Sequence, residues 1–147
     1  MTRALLDVNV LLALVDEAHV DHPTVHAWAA TSLADGWASC AITQNGFVRI
    51  LSQPAYPGSV SVATAVDLLR TSIAAGDHEF WPCDIAVTDP SVVESDALIG
   101  HRQITDAYLL ALAVHHGGQF VTLDRSVPMP AVPGATSEHL AVIAVGG

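Results

Sequence analysis

The sequence contains no lysine. Its 147 residues carry five cationic side chains, all arginine (Arg3, Arg49, Arg70, Arg102 and Arg125), against 15 acidic ones, for a formal net charge of −10. A non-specific nucleic-acid binder usually shows a basic face, and this composition leaves little material for one. The G-x-x-x-x-G-K-[ST] phosphate loop is absent, which excludes P-loop NTPases. So are G-x-S-x-G, H-E-x-x-H and C-x-x-C, which removes the usual signatures of a serine hydrolase, a zinc protease and a dithiol site. The two cysteines, Cys40 and Cys83, are too few for a disulfide framework and read as buried thiols of a reducing cytoplasm. No uninterrupted apolar run approaches the ~20 residues of a spanning helix. The N-terminal stretch MTRALLDVNVLLALVD is broken by Asp7 and Asn9 and closed by Asp16 and Glu17. No A-x-A cleavage pattern follows it directly. It reads as a buried strand entering a helix, in a soluble cytoplasmic protein without membrane attachment.

What is present is a strong apolar component, 51% of the chain, enough for the core of one domain spanning 1–147. Short apolar runs alternate with segments of helical period. Strands are expected at 4–8, 37–42, 78–83, 119–124 and 139–145. Helices are expected at 10–18, 22–34, 44–53 (capped by Thr43), from Ser59 to near Gly76, at 90–98, and from a Thr105 cap to Gly117-Gly118. Strands separated by helices indicate an α/β fold with a mostly parallel sheet of about five strands, covered on both faces.

Three aspartates share a context within that pattern. Asp7 ends the first strand and Asp124 ends the fourth, while Asp106 lies in the first turn of the helix between them in the chain. In open parallel sheets, ligands collect beyond the carboxyl ends of the strands. Taken singly, Asp106 also suits a helix N-terminus, where an acid offsets the dipole, and Asp124 also suits a turn. Asp7 is harder to explain away, because it interrupts an apolar run in which an ionised carboxylate is costly without a partner. Carboxylates brought together repel unless a cation is present or some are protonated. Hard oxygen donors favour Mg²⁺ or Mn²⁺, and such an ion supports phosphodiester hydrolysis.

At these residues the chain resembles the PIN domain, and more closely the VapC-type toxins of type II toxin–antitoxin systems. The matching stretches are LLDVNVLLAL (5–14), ITQNGFVRILSQPAY (42–56), ITDAYLLALAVHHGG (104–118) and FVTLDR (120–125). They occur in the family's order along nearly the whole chain. The resemblance implies an α/β/α sandwich, Mg²⁺- or Mn²⁺-dependent endoribonuclease activity on RNA, a homodimer, and inhibition by a cognate VapB-type antitoxin. It also assigns Asp7, Asp106 and Asp124 to the acidic catalytic and metal site, with Asp7 and Asp106 binding metal most directly and Asn9 in support. One position departs from the family. Gln44 stands where a glutamate is usual, and it brings hydrogen-bonding capacity without charge. Glu94 or Asp96 are candidate replacements for the missing acid. A catalytically weakened binding module, whose main role is to hold its antitoxin, is therefore the alternative to an active enzyme.

Other features weigh less. Arg102 and Arg125 each lie a few residues from a site aspartate and are candidate RNA-backbone contacts, since arginine grips phosphate bidentately; the plain alternative is a surface ion pair. His19, His22 and His26 lack a completing ligand and read as solvated. His115 and His116 suit the last turn of a helix. Trp28, Trp37 and Trp81 read as core or dimer surface rather than a base-stacking row. The D-V-N-V run is superficially similar to the D-x-D of haloacid-dehalogenase-type phosphatases, but those enzymes and receiver domains use a lysine that this chain lacks.

Overall fold

The structure, a computed structural model, describes residues 2–146. Five short strands, β1 (Ala4–Leu6), β2 (Trp37–Ser39), β3 (His78–Phe80), β4 (Gln119–Thr122) and β5 (Leu140–Val142), form one sheet in the order β3-β2-β1-β4-β5. Every pairing is parallel. Five helices connect and cover it: α1 (Val8–Val15), α2 (His22–Ser32), α3 (Ala41–Leu51), α4 (Val62–Ala75) and α5 (Ile104–His115). This is the expected α/β/α sandwich. Pleating divides the strands between two cores. Ala4, Leu6 and Val121 face a cluster with Val10, Phe47 and Leu69 from α1, α3 and α4. Leu5, Ala38 and Phe120 face the other side, against α5.

Helix α5 is apolar on nearly every side because it is buried on nearly every side. Ala107, Leu109, Leu110, Leu112 and Ala113 are all fully inaccessible. It lies between the sheet and the irregular segments that carry Trp81, Val93 and Val132. Each buried leucine contributes about 1.5–3 kcal/mol relative to exposure, so this helix holds its first-turn acid in a firmly fixed place.

Several expected boundaries shift, for local reasons. Helix α3 begins at Ala41 with Cys40 as its N-cap residue. Thr43 sits one turn inside and its hydroxyl accepts from the Cys40 backbone N–H at 3.0 Å, so the cap bond runs backwards from the position expected. Thr105 is likewise inside α5, which starts from Gln103 without a side-chain cap. Ser61, not Ser59, caps α4. The helix expected at 90–98 reduces to one 3-10 turn, Ser95–Ala97. Asp89 captures the Ser91 N–H at 2.9 Å, and the Glu94 N–H turns away to the Ala131 carbonyl at 2.7 Å, so no helical ladder propagates. Cys40 is buried as expected, but Cys83 is exposed, because the chain beyond β3 crosses the outside of α5. Among the described residues no helix is long and apolar enough to cross a membrane.

The turn from α5 into β4 depends on a glycine for close approach. A Cβ on Gly118 would meet the Trp81 ring and lie 2.7 Å from the Arg3 carbonyl oxygen. The ring has no free space, since Trp81 is 2% exposed, and Arg3 is backbone of the central strand's lead-in. Gly118→Ala should therefore destabilise the fold by about 1–3 kcal/mol, the usual cost of overpacking. Urea unfolding at equal m-value checks this; an unchanged midpoint would show that Trp81 and β1 yield freely.

Candidate metal and active site

The strand order reverses at β1 and β4. β1 leads to β2 on one side, whereas β4 sits on its other side, and the crevice beyond their carboxyl ends is where open sheets bind ligands. Asp7 follows β1 directly. Its backbone N–H extends the ladder to the Val121 carbonyl at 2.9 Å, and its extended conformation makes it the N-cap of α1. The side chain is nearly buried. One oxygen accepts from the Val8 N–H at 2.7 Å and the other accepts from the Thr122 hydroxyl at 2.7 Å. Strand and cap together leave Asp7 one orientation.

Thr122, the last residue of β4, is the residue that sequence reasoning missed. It is fully buried. Besides donating to Asp7, its hydroxyl accepts from Asn9 Nδ2 at 3.3 Å and from the Asp124 N–H at 3.1 Å. A hydroxyl has one proton and two lone pairs, and all three are used. Asn9 closes the loop by accepting from the Leu123 N–H at 3.3 Å. The signal that marked Asp7, a polar residue inside an apolar strand, was present in FVTLD as well.

Asp124 turns on itself: one carboxylate oxygen accepts from the Ser126 N–H at 2.8 Å and the Ser126 hydroxyl at 2.6 Å. Those bonds hold its pKa below the ordinary range, with Asp106 adding to the effect. Asp106 behaves oppositely. Burial, then the Asp7 charge, then a proton shared with Asp124 push it up to about 7. Burial also raises Asp7, against the lowering effect of its Thr122 and Val8 bonds. The three aspartates thus feel one another electrostatically. Their donor atoms do not all fall within 4.8 Å of one another. Such spacing suits an ion held through one or two carboxylates with water completing its shell.

The donor set fits a hard divalent cation. Among the described residues, no arginine or histidine forms an ion pair with Asp7, Asp106 or Asp124. Arg102, in a 3-10 turn (His101–Gln103) that abuts α5, and Arg125, beside Asp124, are both exposed. Neither is in an ion pair among the described residues. Gln44 makes no hydrogen bond with the aspartates. Its Nε2 donates to Ser39 Oγ at 2.9 Å, which in turn lies 2.7 Å from His78 Nε2, and its other surroundings are a groove between α3 and α4 lined by Val48, Leu69 and Ile73. Glu94 and Asp96 are exposed and make no hydrogen bond with the trio.

A PIN domain model matches residues 4–132. The chain is 57% identical over 141 residues to Ribonuclease VapC44 of Mycobacterium tuberculosis, covering 96% of this chain and 99% of that one. It is 42% identical to Ribonuclease VapC29 over 84% of this chain and 86% of that one, and 38% identical to Ribonuclease VapC38 over the same shares, both from M. tuberculosis. The chain therefore belongs to the PIN-domain family, in its VapC branch. The crystal structure of PAE2754 from Pyrobaculum aerophilum aligns with a TM-score of 0.56 over 91% of this chain and 82% of that one, at 22% identity, which supports the fold.

Metal-free protein should reveal the strain at Asp106. A carboxyl raised to about 7 keeps a proton in the folded state that the unfolded chain has already lost, so stability falls as pH rises from about 4 to about 7. Asp106→Asn removes that penalty. Without metal the variant should gain on wild type across this window and stay ahead at pH 8, read from urea unfolding at each pH. A parallel pair of pH profiles would show that Asp106 titrates normally.

Proposed function

We propose that this chain is the toxin of a type II toxin–antitoxin pair and hydrolyses RNA phosphodiester bonds as a Mg²⁺- or Mn²⁺-dependent endoribonuclease. One observation supports the reading: burial, then the Asp7 charge, then Asp124 push Asp106 up to about 7, and among the described residues no protein cation pairs with any of the three carboxyls. The names of the relatives, all ribonucleases of the VapC series, support the same activity. Asp7 and Asp106 would hold the ion, with Asp124 completing its negative surroundings. When bound, the ion supplies Lewis-acid activation of water and stabilisation of charge on the phosphoryl oxygens. The protein's own part is positional. Thr122, itself oriented by Asn9, and the Val8 N–H of the α1 N-terminus hold the Asp7 carboxylate, and the buried α5 fixes Asp106. The exposed Arg102 and Arg125 are free to grip flanking phosphates. The proposal includes a homodimer in the cytoplasm, one domain over 1–147, and a VapB-type antitoxin whose basic segment is drawn to an acidic partner.

Gln44 favours a second reading, a weakened enzyme that serves mainly to bind its antitoxin. Its amide is occupied by Ser39 and brings no charge to the ion. RNA cleavage separates the two. With Mg²⁺ or Mn²⁺, wild type should cut RNA and Asp7→Ala or Asp106→Asn should lose about 100-fold or more. Sequencing of RNA ends after expression should show new termini for wild type alone. No metal-dependent cleavage, with wild type as harmless in cells as Asp7→Ala, would leave the binding module. Replacing Arg102 and Arg125 together with alanine should weaken RNA binding while leaving Mn²⁺ affinity near wild type, by titration of each ligand. Equal RNA affinity would remove both arginines from the RNA path.

A further inference from the structure

Helix α5 carries a second group of metal-ligand side chains, at the end opposite Asp106. Its last residue, His115, and the C-cap, His116, both approach Asp84 from the segment beyond β3. Asp84 Oδ1 lies 3.3 Å from His115 Nε2 and 3.8 Å from His116 Nε2. The three donor atoms all lie within 4.8 Å of one another. Adjacent residues inside a helix point about 100° apart and do not share a ligand. Here the second residue has left the helix, with φ −89° and ψ 4° at His116, and the two rings stand edge to face with centroids 5.0 Å apart. His116 is held in its plane by the buried Trp81, stacked at 4.6 Å and 16°.

We propose that Asp84, His115 and His116 form a binding site for a transition-metal dication of the zinc class, separate from the three-aspartate site. Zinc binds imidazole nitrogen and carboxylate oxygen at about 2.0–2.2 Å, so tetrahedral neighbours sit about 3.3–3.5 Å apart. The Asp84–His115 separation of 3.3 Å already falls in that range and the Asp84–His116 separation of 3.8 Å lies a few tenths of an ångström beyond it, so little movement is needed to load an ion. Two imidazoles and one carboxylate select zinc, copper or nickel over magnesium, whereas the three aspartates select the hard ions. The sites are also apart: Asp106 precedes His115 by nine residues, roughly 14 Å along a helix. The Pro82 carbonyl, 3.4 Å from His116 Nε2, offers a further oxygen on the same side, and the half-exposed His115 and Asp84 leave an entry path. The other histidine group is less suited. Among the described residues His19, His22 and His26 do not bring three donor atoms within 4.8 Å of one another. An ion at Asp84 would clip the segment after β3 onto α5, stabilising the folded chain in proportion to its occupancy.

The test is calorimetric titration of Zn²⁺ into metal-stripped full-length protein, in excess Mg²⁺ so that the acidic site does not compete. Wild type should bind one equivalent, and its thermal midpoint should rise with Zn²⁺. His115→Gln and Asp84→Asn should each weaken binding about 10-fold or more. Asp106→Asn and His26→Gln should bind like wild type. His116→Gln also loses the Trp81 stack, so the exposed His115 and Asp84 variants decide the matter, with their metal-free thermal midpoints as the check on folding. Absence of Zn²⁺ binding by wild type, or binding unchanged in His115→Gln and Asp84→Asn, would overturn the site. Loss of binding in Asp106→Asn or His26→Gln instead would relocate it and overturn it equally.

Discussion

The Thr122 hydroxyl stands between the two central strands with its proton and both lone pairs committed. It donates to Asp7 and accepts from Asn9 and from the Asp124 backbone. A buried charged-group hydrogen bond of this kind contributes about 1.5–3 kcal/mol. Its geometric effect matters more. It joins the residue after β1, the first turn of α1 and the residue two beyond β4 into one rigid unit. Asp7 and Asp124 are thereby held in register by a residue that would touch neither substrate nor metal. The parallel β1–β4 pairing, Leu6 opposite Val121, places Thr122 at the reach of the Asp7 carboxylate.

Electrostatics at the site are a contest that burial wins. Asp106 occupies the first turn of α5, where the helix dipole favours a negative charge by about 0.3–1 kcal/mol. Ile104 and Thr105 of that turn are exposed, but Asp106 itself is half-buried beside the fully buried Ala107. Desolvation and the neighbouring Asp7 together outweigh the dipole and drive Asp106 up to about 7. Asp124 goes the other way because Ser126 supplies two donors. Unequal environments around like groups separate their protonation states, which is how neighbouring carboxyls come to differ in role. A divalent ion relieves the same repulsion, so the cost of holding Asp106 charged is a measure of what such an ion gains by binding.

The sheet and the aspartates were readable because they obey strong local rules. Apolar runs of strand length between helical segments indicate a parallel sheet, and a carboxylate ending such a run is conspicuous. Thr122 escaped notice since threonine is an ordinary strand residue, and only the fold reveals that its hydroxyl faces Asp7. The helix caps were also misplaced. Thr43 and Thr105 are cap-type residues, but α3 starts three residues earlier, from Cys40, and α5 two residues earlier, from Gln103. Helix 90–98 failed because Ala131, far along the chain, takes the Glu94 N–H. The approach of His115, His116 and Asp84 was invisible for the same cause, since it depends on how the segment after β3 crosses α5.

The formal charge of −10 at first argues against an RNA substrate, yet charge acts over a limited range. At physiological salt the Debye length is about 8 Å, so most of the acidic surface is screened from a phosphate at the crevice. On the proposed function, what that phosphate would meet is local: Arg102, Arg125 and a cation held by the aspartates. Neither arginine is tied into an ion pair among the described residues, while Arg3 is spent on Asp77 at 3.0 Å and Arg70 on Asp67. With so few cations, two arginines outside any ion pair would, on that proposal, supply positive potential to a phosphodiester at the site. The remaining acidity then weakens sequence-independent binding elsewhere on the surface. It also speeds encounter with a basic partner chain. Scarcity of positive charge is therefore compatible with a ribonuclease whose grip on RNA is confined to its reacting site.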